Sequence, residues 1–270
     1  MPINFEKRLT QAYCQNIAET HRNAASNHKY NFKDYQLTDT DCTALKPMAK
    51  MDAMGLFYNA LVSFVQGCNS IKAGCISWAC VELYYSIFYA LRAELYYRGY
   101  VLIRDGGLYL LKLAKGEHPL SKNNKKYNND HSGTLSYYID TYELSDYLCS
   151  NTIQGMKVYF WLMDLRETTN YRHKWLNEPN CFTELSTLVE KIKNDGVGKV
   201  LKDFNLDFDT YCFSDKYAWL CAPYYKLREV AFYYKANLIN FNDDQVKYID
   251  HTLHGIGMDD ADIKGLLTVL

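Results

Sequence analysis

The longest apolar stretch of the chain runs from residue 77 to residue 99 and reads SWACVELYYSIFYALRAELYYRG. Large apolar side chains recur in it at intervals of three and four, the spacing of one face of an α-helix: Trp78, Val81, Tyr85, Phe88, Leu91 and Leu95. Glu82, Arg92 and Glu94 interrupt the stretch, and a helix facing lipid would not carry them. The stretch therefore predicts a long, buried helix and not a membrane span.

A second helix is predicted directly before this one. The segment MDAMGLFYNALVSFVQG begins at Met51, has helical spacing of its apolar residues, and ends in Gly67, a common helix stop. Two such helices joined by the short turn GCNS predict an antiparallel hairpin. Upstream, a helix is predicted over residues 4–28, followed by a polar connector that Pro47 closes.

The segment YVLIRDGGLYLLKL after the long helix predicts a small β-hairpin, because two β-capable runs flank Asp105-Gly106-Gly107. A lysine-rich segment follows, with a local positive charge that the whole chain lacks: Lys112, Lys115, Lys122, Lys125 and Lys126. This segment is either a solvated loop or a lip that attracts phosphates. Both interpretations stay open at the sequence level.

Helical patterns return after His131, which is expected at the start of a helix, and continue from about Ile153 through Trp175. The remainder predicts three or four shorter helices. The fold class is therefore all-α, an antiparallel helical bundle with a small β-hairpin insertion. We expect three segments: an N-terminal helix and connector over 1–50, the bundle over 51–181, and a helical extension over 182–270.

Composition narrows the functional classes. A net charge of −1 argues against a surface that coats nucleic acid generally, and 25 tyrosines suit cores and interfaces with wet edges. The 9 cysteines show no metal-binding spacing and sit in apolar contexts, which predicts buried, reduced thiols in a cytoplasmic protein without a metal or cofactor. The first residues lack the apolar core of a secretory signal.

One polar stretch, DLRETTNYRHKW, carries a candidate site. On an α-helix, His173 returns to within about 20° of Arg166, roughly 10 Å along the axis, and Asn170 lies between them. Histidine is suited to proton transfer at neutral pH, and arginine offers a fixed cationic fork to phosphate oxygens. Two copies about a two-fold axis would gather two such pairs around one phosphate.

The succession of YYSIFYALRAELYYRG, HSGTLSYYI and LRETTNYRH resembles the HEPN superfamily of helical bundles over about residues 51–181. Many HEPN members carry an Arg and a His, separated by four to six residues, on the last bundle helix and act as dimeric ribonucleases in antiviral defence and toxin systems. Other members have lost the pair and serve as binding or assembly modules.

Carried to this chain, the resemblance implies Arg166 and His173 as the catalytic pair of a metal-independent ribonuclease, with Asn170 between them and RNA as substrate. The family often has Asn directly after the Arg, where this chain has Glu167. An acidic side chain there would repel RNA unless a cation such as Arg172 or Lys174 paired with it.

Two alternatives accompany this interpretation. An Arg and a His within the same four-to-six range also occur at Arg22 and His28, with five residues between them, ahead of the predicted bundle. Arg166 has a structural interpretation as well, in an ion pair with Glu167, Glu178 or an acidic residue of a neighbouring helix. His173 has one too, as a cap at a helix end, where its charge suits the helix dipole. Tyr171 is expected in the core. The alternative function is a non-catalytic HEPN-like module that docks a larger protein complex. We expect a homodimer or a larger protein partner in either case, and no membrane association.

Overall fold

A computed structural model describes residues 7–24, 32–121, 129–172, 174–176, 178, 180–235 and 241–267. These residues form a predominantly helical structure with two small antiparallel strand pairs. The all-α class predicted from the sequence is confirmed. None of the described helices is both long enough and apolar enough to cross a membrane.

The helices are α1 (Leu9–Ala24), α2 (Asp39–Lys72), α3 (Ile76–Tyr97), α4 (Asp130–Tyr142), α5 (Val158–Glu167), α6 (Thr183–Asp195), α7 (Val197–Leu206), α8 (Phe208–Cys212), α9 (Ala218–Lys235), α10 (Asp243–Gly255) and α11 (Asp260–Leu267). Two strand pairs accompany them, β1 (Tyr100–Arg104) with β2 (Leu108–Lys112) and β3 (Thr152–Ile153) with β4 (Met156–Lys157). A π-helical turn, Thr168–Arg172, follows α5. Single 3-10 turns lie at Phe32–Asp34 and Tyr147–Cys149.

The chain divides into two compact units. The first unit contains residues 1–55 and 92–141, and the second contains residues 56–91 and 142–270. The three consecutive segments expected from the sequence, with boundaries after residues 50 and 181, stay a prediction.

In the second unit, α2 and α3 form the predicted antiparallel hairpin. The Ser70 hydroxyl donates to the Glu82 carboxylate at 2.6 Å. This contact joins the end of α2 to the first half of α3, as an antiparallel arrangement of the two helices requires. The predicted stop at Gly67 is wrong, since α2 continues to Lys72. A Cβ at Gly67 would lie 2.7 Å from Cγ of Leu83, so this glycine allows close approach of the two helices and does not end one.

The start of α2 also differs from the prediction, which placed Pro47 at the end of a connector. In the first unit, α2 begins at Asp39 and contains Pro47. Thr38 caps the helix, because its hydroxyl accepts from the Asp41 N–H at 3.2 Å while the Asp41 carboxylate accepts from the Thr38 N–H at 2.8 Å. Pro47 is exposed and costs the helix one hydrogen bond, which the rest of this long helix tolerates.

The predicted β-hairpin is confirmed in the first unit. β1 and β2 pair with Val101 opposite Leu111, and Gly106 takes a φ of 69° in the turn between them. Tyrosine hydroxyls satisfy buried polar groups around the hairpin. Tyr96 donates to the Leu102 carbonyl at 2.8 Å, and Tyr137 donates to the Leu120 carbonyl at 3.0 Å.

The single helix predicted from Ile153 through Trp175 is wrong. The chain first forms β3 and β4, where Gln154 has a φ of 51° and Gly155 a φ of 78°. It then forms α5 over ten residues and the π-helical turn, and residues 174–176 are not helical. His131 is confirmed near the start of α4, and the last third contains more helices than the three or four predicted.

Burial agrees with the predicted core in most positions. Tyrosines supply many of the largest buried side chains, and most of the cysteines are buried free thiols, although Cys75 is exposed. Trp78, predicted on the apolar stripe of α3, is 48% exposed, while Val81, Phe88, Leu91 and Leu95 are buried. Position 78 lies in the first turn of α3, where the stripe reaches the surface.

Candidate functional site

The predicted site begins on α5 and continues into the π-helical turn, all within the second unit. α5 buries Val158, Tyr159, Trp161 and Leu162 together with Arg166. Arg166 is the last but one residue of the α-helical part, and Asn170 lies within the π-helical turn. The two predicted site residues therefore belong to segments with different hydrogen-bond patterns.

Arg166 is buried between tyrosine rings. Its side chain is only 7% exposed, and its guanidinium carbon lies 5.1 Å from the ring centroid of Tyr84, 5.9 Å from that of Tyr85 and 5.3 Å from that of Tyr171. A cation within about 6 Å of a ring centroid is attracted to the negative face of the ring. We refer to Tyr84, Tyr85 and Tyr171 as the tyrosine cage.

The electrostatics of Tyr84 reflect this arrangement. Burial raises the pKa of the Tyr84 phenol well above its ordinary value of 10, because the phenolate would lose its hydration. The positive charge of Arg166 and a hydrogen bond from its guanidinium to the phenol oxygen act in the opposite direction but do not overcome burial. Tyr84 is therefore a neutral cage wall at physiological pH.

The carboxylates nearest to Arg166 in sequence bind other groups. Arg172 contacts Asp164 at 2.8 Å and Glu167 at 3.3 Å, so Glu167 is paired with a cation as required for a phosphate-binding role. Glu178 accepts the Ser77 N–H at 2.6 Å. Among the described residues, Arg166 forms no ion pair with a carboxylate, and its Nε–H finds no hydrogen-bond acceptor. Ion pairs of Arg166 with Glu167 or Glu178, the structural alternative, are absent from this part of the chain.

The π-helical turn brings residues five apart onto one face. In an α-helix, Tyr171 would point about 140° away from Arg166, since each residue advances about 100°. With i→i+5 bonding, the Tyr171 ring lies over the guanidinium, and Arg172 reaches Glu167, also five residues away. The expectation that Tyr171 belongs to the core is wrong, because it is 66% exposed and forms the outer wall of the cage.

The structure tests the predicted stripe of Arg166, Asn170 and His173 only in part. Arg166 is buried, although a catalytic arginine must be accessible to its substrate, and Asn170 is partly exposed. His173 lies outside the described residues. The spacing argument for all three assumed a continuous α-helix, and the α-helix ends at Glu167.

A cleft runs along another side of α5, with a volume of about 320 Å³. Asp164, Leu165 and Thr168 line it from α5 and the π-helical turn, and Phe182 and Leu185 line it from the start of α6. Arg166 is oriented toward the tyrosine cage and not toward this cleft. The cleft and the buried cation are therefore separate features of the same helix.

The two other sequence candidates have different outcomes. In the first unit, Arg22 forms an ion pair with Asp105 at 2.6 Å, while His28, its predicted alternative partner, lies outside the described residues. Of the lysine-rich segment, Lys112 pairs with Glu117 at 3.2 Å and Lys115 pairs with Asp39. Lys122, Lys125 and Lys126 lie outside the described residues, so both interpretations of this segment stay predictions.

Sequence reasoning assigned Tyr85 to a helical stripe, did not single out Tyr84, and connected neither tyrosine with Arg166. More than eighty positions separate them from Arg166 in the chain, and only the packing of α5 against α3 joins them. The one available signal was the adjacent tyrosine pair, which places one ring inside the core and the next at its edge.

Comparison with models of known protein families, with curated proteins and with solved structures finds no match to this chain.

Proposed function

We propose that this protein is a metal-independent ribonuclease of the HEPN type, in which Arg166 stabilises the phosphate charge and His173 transfers the proton. The observation that carries the proposal is the environment of Arg166. A buried guanidinium is normally balanced by a carboxylate, since burial of an unpaired charge is costly. Here tyrosine rings surround the cation, and the neighbouring carboxylates bind Arg172 and Ser77.

The chemistry follows from the residue types. The guanidinium has an uncompensated charge and an Nε–H without an acceptor among the described residues, so it can bind a phosphate oxygen. The pairing of Glu167 with Arg172 removes the repulsion that Glu167 would otherwise exert on RNA. His173 acts as acid or base on the 2′-hydroxyl or the leaving oxygen, and Asn170 adds a polar contact. Tyr171 is the exposed cage wall that RNA must displace to reach Arg166.

The resemblance to HEPN proteins adds two parts to this proposal, the oligomeric state and the biological role. A second copy of the chain completes the site, and the activity belongs to a toxin-type effector of antiviral defence. The substrate is RNA, and the reaction uses no metal.

The decisive experiment incubates the purified protein with total RNA in EDTA. We expect cleavage by the wild type and a loss of about 100-fold or more in His173→Ala, because proton transfer by a positioned side chain contributes that much. His251→Ala is the matched control, since His251 is exposed on α10, and it should cleave like the wild type. Equal cleavage by His173→Ala and the wild type would overturn the assignment of His173.

A second candidate function is a non-catalytic HEPN-like module that docks a larger protein complex. The burial of Arg166 favours it, because a guanidinium enclosed by rings holds α5 against α3 without needing a substrate. Arg166→Lys separates the two functions. In a ribonuclease, this substitution keeps the charge but removes the two-pronged phosphate contact, so cleavage falls while the fold is retained. In a module, the wild type leaves RNA intact, and only stability changes.

A further inference from the structure

The first unit contains a second cationic feature, built from residues other than the proposed ribonuclease residues. A cleft of about 300 Å³ lies between the start of α1 and the β-hairpin. Four cationic side chains line it, with one carboxylate: Lys7, Arg8, Arg92, Arg104 and Asp130. Cationic side chains therefore outnumber carboxylates in the lining of this cleft.

Hydrogen bonds fix part of the lining of the cleft. The Gln11 amide donates to the Arg104 carbonyl at 2.9 Å and accepts the Arg104 N–H at 2.9 Å, which fixes β1 against α1. Lys7 donates to the Gln15 side chain at 2.8 Å. The cleft is therefore largely formed before any ligand enters it.

A buried cation and buried leucine side chains line the same cleft. Arg92 is about nine-tenths buried, and Leu102 and Leu108 are buried beside it. The N-terminus of α1 does not create the positive field, because the Asp52 carboxylate accepts the N–H groups of Leu9 and Thr10 at 2.9 Å each. The charge comes from the side chains.

We propose that this cleft binds a small phosphate monoester of about the size of a nucleoside monophosphate. The arginine guanidinium groups and the lysine ammonium group suit a dianionic phosphate. Leu102 and Leu108 suit the organic part of a phosphate monoester, which inorganic phosphate does not have. Arg104 contacts Asp130 at 2.5 Å, so the ligand phosphate competes with this carboxylate for Arg104. The proposal is independent of the ribonuclease proposal, because its residues lie in the other compact unit.

Isothermal titration of the full-length protein with adenosine monophosphate, inorganic phosphate and adenosine tests the ligand class. We expect the monophosphate to bind more tightly than inorganic phosphate, and adenosine not to bind. Equal binding of adenosine and the monophosphate would overturn the phosphate contact. Tighter binding of inorganic phosphate would show that the cleft does not bind the organic part of the ligand. Binding of an RNA oligonucleotide alone would show that the ligand is not a small molecule. Either result would overturn the proposal.

Substitutions in the cleft test the location. Lys7→Gln and Arg104→Gln remove exposed cations and should each weaken binding of the monophosphate about tenfold, the effect of one charge-assisted hydrogen bond. Asp130→Asn should tighten binding severalfold, since it removes the competing carboxylate. Arg22→Gln is the matched control, an exposed arginine on α1 outside the cleft, and should bind like the wild type. Equal weakening by Arg22→Gln, or no tightening by Asp130→Asn, would overturn the proposal.

Discussion

The guanidinium carbon of Arg166 lies 5.1 Å from the centre of the Tyr84 ring. The cation of α5 is thus held against an aromatic ring of α3. This relationship joins α5 to α3, and it places a permanent positive charge inside the second unit.

The contact predicts a specific cost for losing the arginine. Arg166→Ala should lower the free energy of unfolding by about 2–3 kcal/mol, because a desolvated cation–ring contact contributes about 2 kcal/mol and the aliphatic stem also packs. Urea denaturation followed by circular dichroism measures the change. Arg172→Ala serves as the control, since Arg172 is exposed and its ion pairs contribute at most about 1 kcal/mol. An equal loss in both variants would contradict a stabilising role for the tyrosine cage.

Gly198 at the start of α7 predicts a steric effect. A Cβ at this position would lie 1.7 Å from the carbonyl oxygen of Gly257, an impossible approach to rigid backbone. Gly198→Ala should therefore destabilise the protein by more than about 3 kcal/mol or prevent folding. Gly265→Ala is the matched control, because this glycine lies in α11 with open space around its Cβ position, and it should stabilise by about 0.5–1 kcal/mol. Thermal unfolding of both variants checks the difference, and similar midpoints would contradict it.

The buried pair of Lys226 and Asp146 predicts a non-additive effect. Both side chains are almost completely buried, their charged atoms are 2.5 Å apart, and the Tyr159 hydroxyl donates to both Asp146 oxygens at 2.8 Å. Lys226→Met should cost about 3–5 kcal/mol, because it leaves a buried carboxylate without its cation.

Adding Asp146→Asn to this variant should recover part of the loss, since the neutral amide oxygen still accepts from Tyr159. A double-mutant cycle in urea measures the coupling. Strictly additive losses would show that the two residues act independently.

The environment of Asp41 predicts how the stability of the first unit depends on pH in acid. Burial alone would raise the pKa of its carboxyl group, but hydrogen bonds from Thr38, Tyr35 and Tyr13 outweigh it and lower the pKa below the ordinary value of 3.8. A lowered pKa means that this stabilisation is complete above about pH 4 and is lost as the pH falls through the lower, folded-state value.

Asp41→Asn should therefore be less stable than the wild type at pH 7, by about 1–3 kcal/mol, and should lose less further stability below pH 4. Urea unfolding at pH 7, 4 and 3 compares the two proteins. Asp39→Asn is the control, because Asp39 is exposed and its ion pair with Lys115 is at the surface. Parallel pH curves for the wild type and Asp41→Asn would contradict the prediction.

Local patterns predicted the elements whose causes are local. The apolar spacing of residues 77–99 predicted α3, and Asp105-Gly106-Gly107 predicted the turn between β1 and β2. Pro47 and Gly67 misled the prediction of α2, because the rest of a 34-residue helix outweighs their local costs, about 3 kcal/mol for the proline and about 1 kcal/mol for the glycine. At Gly67, the contact with Leu83 decides the outcome, and it comes from another helix.

The sequence predicted which residue types form the candidate site, but it did not predict which side chains surround them. Periodicity placed Arg166 beside an apolar stripe, but its burial depends on Tyr84 and Tyr85, which reach it only through tertiary packing. The pairing of Glu167 with Arg172 was foreseen as a way to remove repulsion, and the structure has it. The π-helical turn has no signature in the sequence, because its five residues would also suit an α-helix.

The π-helical turn accommodates one residue more than an α-helix would in the same length. Tyr171 thereby holds the angular position over Arg166 that the fourth residue of an α-helix would occupy. Deleting one residue between Arg166 and Tyr171 would let the segment relax to α-helical bonding with the tyrosine still over the cation. Inserting one there would turn the tyrosine by about 100° and uncover the cation. The segment is therefore more tolerant of shortening than of lengthening.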